Sequence, residues 1–302
     1  MDYKELIERQ GWTLNQKIDH SVGAIEAFVN GTGRVPFISF SGGKDSTVLL
    51  DLARRYVDKD MKAVFCNTGN EYPDVVRFVR NIDNVTVIRP KYTVKQVIEK
   101  YGFPLISKEQ AQGIRQAKTT QSAKLLAIRL EGTNRERGWT SGKIADRWQY
   151  LINEPFMISE KCCDCLKKRP FARYVRQSGE VPIIGTMAAE SRLRSQQYIR
   201  RGGCNSFRET KMASYPLSIW TDEDIWNYIR MFDLPYCELY DNGHNRTGCM
   251  VCGFGAQYET EVSRFELLFR QHPKAYRIFM EYANSGITYR EALIKAGVKL
   301  PE

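Results

Sequence analysis

The feature that most constrains this chain is a strand, a glycine turn and a helix in direct succession. Residues 35–40 (Val-Pro-Phe-Ile-Ser-Phe) form a short apolar run, and Ser41-Gly42-Gly43 a tight turn. Residues 44–56 then follow a helical pattern with Val48, Leu49, Leu50 and Leu52 on the inner side. Strands at 62–66 and 85–88, helices at 74–81 and 94–101, and a later strand at 181–185 continue the alternation. Continuously apolar strands between helices are buried on both faces, which predicts an α/β fold on a doubly wound, mainly parallel sheet. Residues 5–30 precede the sheet as one amphipathic helix or two, and residues 107–176 break the rhythm with a helical, basic stretch. The C-terminal part reads as helices at 222–232, 261–270, 274–284 and 289–296. The expected organisation is an α/β domain over 1–215 with a helical insertion at about 105–176, then a helical, cysteine-bearing part over 216–302.

Fourteen Phe, sixteen Tyr and five Trp supply an ample core. No apolar run approaches the roughly 18 residues of a membrane span. The start, Met1-Asp2-Tyr3-Lys4-Glu5, suits a first helical turn rather than a signal peptide, so a cytoplasmic protein without membrane contact is expected. A formal net charge of +10 favours anionic partners such as nucleotides, RNA or DNA. His20, His244 and His272 are too few and too scattered for a histidine metal site. Eight Cys, clustered and in a reducing compartment, point to metal or redox chemistry rather than to a disulfide framework.

Where the first strand meets its helix, Ser39-Phe40-Ser41-Gly42-Gly43-Lys44-Asp45-Ser46-Thr47 is built for an anion. Backbone amides and the helix dipole converge there, the glycines allow close approach, and Ser41, Ser46 and Thr47 add hydroxyls. It is not a Walker A loop, because Ile38 stands where the first Gly belongs and Asp45 where a Ser or Thr belongs. Ser-Gly-Gly-Lys-Asp-Ser resembles instead the PP-loop of the adenine-nucleotide alpha-hydrolase superfamily. Two further segments resemble the PAPS reductase family within it. One is Asn67-Thr68-Gly69-Asn70-Glu71-Tyr72-Pro73, with Asn67 in place of the usual Asp. The other matches at Gly185, Glu190, Ser191 and Arg194, with Met187 where an Arg is usual. The resemblance implies a site for ATP or a related adenine nucleotide, with Mg²⁺. It would be lined by Ser39, Ser41, Gly42, Gly43, Lys44, Asp45, Ser46, Asn67, Thr68, Gly69, Gly185, Glu190, Ser191 and Arg194, with Lys44 and Asp45 catalytic.

The cysteines gather in two places: Cys162, Cys163 and Cys165, and, with 85 residues between Cys163 and it, Cys249-Met250-Val251-Cys252. A C-x2-C turn presents two thiolates to one metal, and a second pair completes four-coordination. Five candidates compete for four places, and spacing does not separate zinc from an iron–sulfur cluster. The arrangement resembles the site of iron–sulfur adenylyl-sulfate reductases. Arg246-Thr247-Gly248-Cys249 with Cys252 also resembles the closing element of DndC-type ATP pyrophosphatases, which activate sulfur. The resemblance implies a 4Fe-4S cluster on Cys162, Cys163, Cys249 and Cys252, with zinc as the alternative. Lys161, Lys167, Lys168 and Arg246 would offset the thiolate charge. Cys66 reads as core, and Cys204, in a Gly-rich basic loop, as a candidate mobile thiol of low pKa.

The resemblance implies an ATP pyrophosphatase-type enzyme that adenylylates a substrate, releases pyrophosphate and supports sulfur transfer. Its partners would be a sulfur donor protein and an acceptor: DNA, tRNA or a small molecule. The first alternative is a phosphoadenylyl-sulfate or adenylyl-sulfate reductase, disfavoured by the intact phosphate loop and by the lack of a Cys after Cys252. The second is a non-catalytic, zinc-containing nucleic-acid-binding module.

Overall fold

A computed structural model describes residues 2–133 and 141–301; Met1, Glu302 and residues 134–140, the last within the expected insertion, lie outside the described residues. In chain order the first elements are α1 (Tyr3–Gln10), α2 (Leu14–Thr32), β1 (Pro36–Phe40), α3 (Lys44–Tyr56), β2 (Ala63–Cys66), α4 (Pro73–Arg80) and β3 (Val85–Ile88). Then come α5 (Val94–Tyr101), β4 (Leu105–Ile106), α6 (Lys108–Thr119), α7 (Ala123–Glu131), α8 (Lys161–Cys163), α9 (Arg169–Ser178) and β5 (Val181–Ile183). The chain ends with α10 (Arg192–Arg201), β6 (Asn205–Ser206), β7 (Ala213–Ser214), α11 (Asp222–Met231), β8 (Gly253–Phe254), α12 (Arg264–Gln271), α13 (Pro273–Met280) and α14 (Tyr289–Lys295).

These elements form two compact units that interleave along the chain. One comprises Met1–Asn67, Pro73–Arg89 and Phe171–Thr247, the other Thr68–Tyr72, Pro90–Pro170 and Gly248–Glu302. The observed grouping differs from a division at residue 215, since residues 216–247 fold with the sheet. Burial explains this. Residues 216–220 lie against α2, where Trp220 Nε1 donates to Ser21 Oγ at 2.8 Å and Ser21 Oγ donates to the Pro216 carbonyl at 3.0 Å.

The first unit is built on a sheet of order β3-β2-β1-β5-β7-β6, parallel except for the β6–β7 pair. Succession runs outward from β1 to β3 on one side and resumes with β5 on the other, which makes the crevice between β1 and β5 a topological switch point. Phe37 and Ile38 point to opposite faces of β1, yet both are 0% exposed, so both faces are covered. Phe37 meets Phe171 and Tyr174 of α9 with ring centroids 6.4 and 5.3 Å apart, whereas α3 packs with α2 and α11. The late strand stops at Ile183, two residues short of expectation, and the short β6 and β7 were not expected at all.

The second unit is mostly helical and centres on Phe103, Phe156, Phe265 and Tyr289, all fully buried. Phe103 lies 5.2 Å from Tyr289 and 5.7 Å from Phe156 between ring centroids. Its β4 and β8 pair in parallel, Leu105 with Gly253 and Ile106 with Phe254. Among the described residues no helix is long and apolar enough to cross a membrane.

Candidate functional site

In the first unit, β1 ends at Phe40 and α3 begins at Lys44, so three residues turn the chain. Gly42 has φ +73°, and a Cβ there would come within 2.8 and 2.9 Å of the Val75 and Val79 side chains of α4, so only glycine fits. Gly43 caps α3 without a side-chain hydrogen bond, which leaves first-turn amides as donors at the positive end of a 13-residue helix. Ser46 Oγ donates to the Gly43 carbonyl at 2.9 Å and accepts from the Ser41 amide at 3.2 Å. Thr47 Oγ1 donates to the same carbonyl at 3.1 Å. These hydroxyls, expected to face an anion, bond the loop's own backbone in this structure, because a first-turn hydroxyl reaches the carbonyl three or four residues back most directly. Ser39 is half-buried within β1, and Ser41 is exposed.

Lys44 is 5% exposed, and its ammonium lies between the carboxylates of Asp45 at 3.0 Å and Asp222 at 2.5 Å. The rings of Trp226 and Tyr240 stand 6.0 and 5.9 Å from Nζ. Burial pulls the ammonium's pKa down, but Asp222 and Asp45 outweigh it and the net shift is upward. Asp45 also shifts upward, chiefly through burial; Lys44 opposes this, while Glu190 and Asp222 add repulsion. Asp222, Trp226 and Tyr240 carry no motif. The Thr221/Asp224 capping box marks where α11 starts, but it does not reveal what its first turn faces.

Gly185 follows β5 so closely against α3 that a Cβ would lie 3.2 Å from the Asp45 carbonyl. Glu190 accepts from the Met187 amide at 2.8 Å and pairs with Arg194 at 3.3 Å, and Ser191 caps α10. Arg194 lines a small cavity with Thr186, Gln197 and Arg201. Asn67, just past β2, donates its amide to the Ile88 carbonyl at 2.9 Å. The candidate residues of this unit therefore stand at the carboxyl ends of β1, β2 and β5, where open α/β sheets bind ligands.

Thr68 and Gly69 belong to the second unit. The Thr68 amide and hydroxyl both donate to the Glu71 carboxylate at 2.8 Å. Asn70 accepts the Met250 amide at its carbonyl (2.8 Å) and the Val251 amide at Oδ1 (3.0 Å). Residues 68–72 thus scaffold the Cys249–Cys252 loop, a role with no local signal in the sequence.

The stretch from α5 to β4 positions both cysteine pairs. α5 packs on α8, which carries Cys162 and Cys163, and β4 pairs with β8 directly after Cys252. A Cβ on Gly253 would collide with the Pro104 carbonyl at 2.7 Å and the Tyr289 hydroxyl at 2.8 Å. Cys162 and Cys163 have sulfurs 4.0 Å apart, and both Cys249 and Cys252 interact electrostatically with Cys162. The Cys162 hydrogen bond pulls the Cys163 thiol down, against burial and with help from Lys108 and Lys167. The same bond, then burial, pushes Cys162 up. Burial pushes Cys249 up to about 11 against the pull of Lys167. Cys165 stands apart: it is buried on the π turn Asp164–Lys168, and its charged neighbours are Arg169, Asp164, Lys161 and Lys100.

Among the described residues no three His, Cys, Asp or Glu side chains are set to hold a metal ion, so the four sulfurs are not arranged as a finished coordination shell. In composition they fit a thiolate-bound centre: four soft donors flanked by Lys108, Lys167 and Arg264, whose charge offsets theirs. Cys66 is buried in the core, as expected. Cys204 is not the mobile thiol expected of it. It is 6% exposed and 3.6 Å from His20 Nε2, and burial pushes it up to about 11 despite Arg201 and Arg9.

Residues 35–253 match the family described as phosphoadenosine phosphosulfate reductase domain. An uncharacterized protein of Methanocaldococcus jannaschii is 29% identical over 218 residues, which are 71% of this chain and 40% of that protein. The chain therefore spans less than half the length of this relative. The adenosine 5'-phosphosulfate reductase of Geobacillus thermodenitrificans is 34% identical over 214 residues, 70% of each protein. Among solved structures, the phosphoadenylyl-sulfate reductase of Candida auris in a phosphate complex aligns with a TM-score of 0.42 at 14% identity, over 82% of this chain and 96% of that one.

Proposed function

The chain belongs to the phosphoadenosine phosphosulfate reductase domain family, and from that premise we propose an ATP pyrophosphatase-type enzyme that adenylylates an acceptor and supports sulfur transfer. The observation that carries this reading is Lys44. It is a buried ammonium on the first residue of a helix, beside Asp45, at the carboxyl end of the strand where the sheet order switches. In this reading the β- and γ-phosphates of ATP lie against the first-turn amides of α3 and Lys44. An acceptor oxygen attacks the α-phosphorus, the bond to the bridging oxygen breaks, and pyrophosphate leaves with the electron pair. Lys44 neutralises charge growing on the leaving group, so positioning and electrostatics account for the acceleration. Asp45 would help to hold Mg²⁺, which would supply further neutralisation. Gly185, Glu190, Ser191 and Arg194 line the other side of the crevice.

Cys162, Cys163, Cys249 and Cys252 are the proposed ligands of a 4Fe-4S cluster, with zinc the alternative. A bound cluster supplies a centre at which sulfur is held or passed on. The acceptor class favoured is nucleic acid: Arg192 and Arg200 on the solvent side of α10, followed by Arg208 and Lys211, are all exposed in a chain of net charge +10. A sulfur donor protein and a cytoplasmic setting belong to the same proposal.

The 34% identity to an adenosine 5'-phosphosulfate reductase favours a second reading, sulfonucleotide reduction. That reaction needs an accessible thiolate, which buried Cys204 does not provide. Phosphate and pyrophosphate release from ATP with Mg²⁺ separates the readings. Pyrophosphate release lost in Lys44→Ala supports the first. Release of phosphate alone, or of sulfite from adenylyl sulfate with reduced thioredoxin, overturns it.

A further inference from the structure

The phosphate loop carries its own acceptors. The Lys44 amide donates to the Tyr240 phenol at 3.0 Å, and the Lys44 ammonium to Asp222 at 2.5 Å. Asp222 opens α11, and Tyr240 lies in the irregular stretch after it, residues 232–247. Thr247, at the end of that stretch, hydrogen-bonds the same phenol, and its hydroxyl oxygen lies 2.5 Å from where a Cβ on Gly43 would stand. Trp226 holds Tyr240 edge-on, with ring centroids 5.5 Å apart, and Glu238 is tied to Arg77 of α4 at 3.1 Å.

We infer that Asp222 and Tyr240 are internal stand-ins for a polyphosphate, satisfying Lys44 until an anion with two linked phosphates displaces them. The inference rests on the phosphate-loop reading and assigns to that site two residues the reading does not use. A buried ammonium needs countercharge and a backbone amide an acceptor, and Asp222 and Tyr240, beside Asp45, supply them from within the chain. Both stand-ins are displaceable. The Asp222 side chain is 67% exposed and can swing into water, and a neutral phenol is a weaker acceptor than a phosphate oxygen. A single phosphate replaces one stand-in and leaves the other competing. A pyrophosphate group replaces both at once, so the pair selects for polyphosphates and lowers their apparent affinity.

The test is titration of the full chain with inorganic pyrophosphate and, separately, inorganic phosphate, without Mg²⁺ so that metal binding does not enter. Calorimetry gives Kd, and tryptophan fluorescence reports the departure of Tyr240 from Trp226, with Trp226→Phe identifying the signal. Asp222→Asn keeps the shape of an exposed side chain and Tyr240→Phe keeps the packed ring, so both should fold. Each should bind pyrophosphate about threefold more tightly, the worth of one net hydrogen bond, and the double variant about tenfold. Lys44→Ala should bind none. Wild-type binding that neither variant tightens overturns the inference and leaves the ATP reading standing. No binding of pyrophosphate or ATP by wild type or any variant overturns the phosphate-site reading itself.

Discussion

Lys17 supplies the sharpest stability test, because it supports the helix that carries Asp222. Its ammonium lies 2.6 Å from Asp224 Oδ2, and the two side chains are 3% and 12% exposed. The same carboxylate oxygen accepts the Thr221 amide at 2.7 Å and hydroxyl at 2.8 Å, closing the capping box at the start of α11. Lys17→Met keeps the length and apolar stem but removes the countercharge. Removing one partner of a buried ion pair costs about 3–5 kcal/mol, because the other charge stays buried. Here the Thr221 donors and the helix dipole remain, the dipole contributing up to about 1 kcal/mol, so the loss should fall near the lower bound, about 3 kcal/mol. Adding Asp224→Asn removes the stranded charge while keeping an acceptor for Thr221, and should recover about half the loss. Urea titrations of wild type, single and double variants measure both terms. A Lys17→Met cost below about 1 kcal/mol, or a double variant no more stable than the single, would refute the reasoning.

Three further outcomes are expected. Cys163→Ser, Cys249→Ser or Cys252→Ser should each remove a brown chromophore, iron and sulfide from anaerobically prepared protein, while Cys165→Ser retains them; a colourless, zinc-loaded wild type contradicts the cluster assignment. Asn70→Ala strands the amide of Val251, which is 2% exposed, and should cost about 1–3 kcal/mol by urea titration; a change under about 0.5 kcal/mol counts against the scaffold role. Burial pushes the Cys204 thiol up to about 11, above the ordinary thiol range, so the folded state holds its proton longer. Its contribution is complete below pH 9 and is lost as pH rises toward 11; Cys204→Ala should remove about 2–3 kcal/mol of that alkaline decline in stability, and an unchanged slope argues against the buried thiol.

Several elements were legible because their signals are local. Residues 44–56, 85–88 and 94–101 fold with the boundaries that apolar spacing predicts, since each is bounded by turn residues and keeps one period throughout. The short β6 and β7 have no such signal. Two residues have no period to read, and they become strands only because Asn205 and Ser206 find Ser214 and Ala213 across a turn. The unit boundary was hidden for a similar reason. Nothing in Pro216–Trp220 says that it packs on α2, yet the Trp220–Ser21 bond, 199 residues apart in sequence, holds it there.

At the site, the loop motif points to residues whose chemistry suits a ligand and conceals the distant residues of the chain that pair with them. Lys44 and Asp45 are visible because Gly-Gly-Lys-Asp after a strand is rare and has a mechanism. Besides the neighbouring Asp45, the acceptors of Lys44 are an ordinary Asp and an ordinary Tyr, 178 and 196 residues away. Ser46 and Thr47 are ambiguous in another way: a hydroxyl at a helix start suits an anion or its own backbone equally well, and here both donate to the Gly43 carbonyl. The deciding variable in each case is whether a polar group's partner is carried by the chain or must come from outside. For Lys44 the chain carries one, so, on the proposed reading, wild-type affinity for a polyphosphate would measure a competition with Asp222 and Tyr240 rather than the intrinsic strength of the loop.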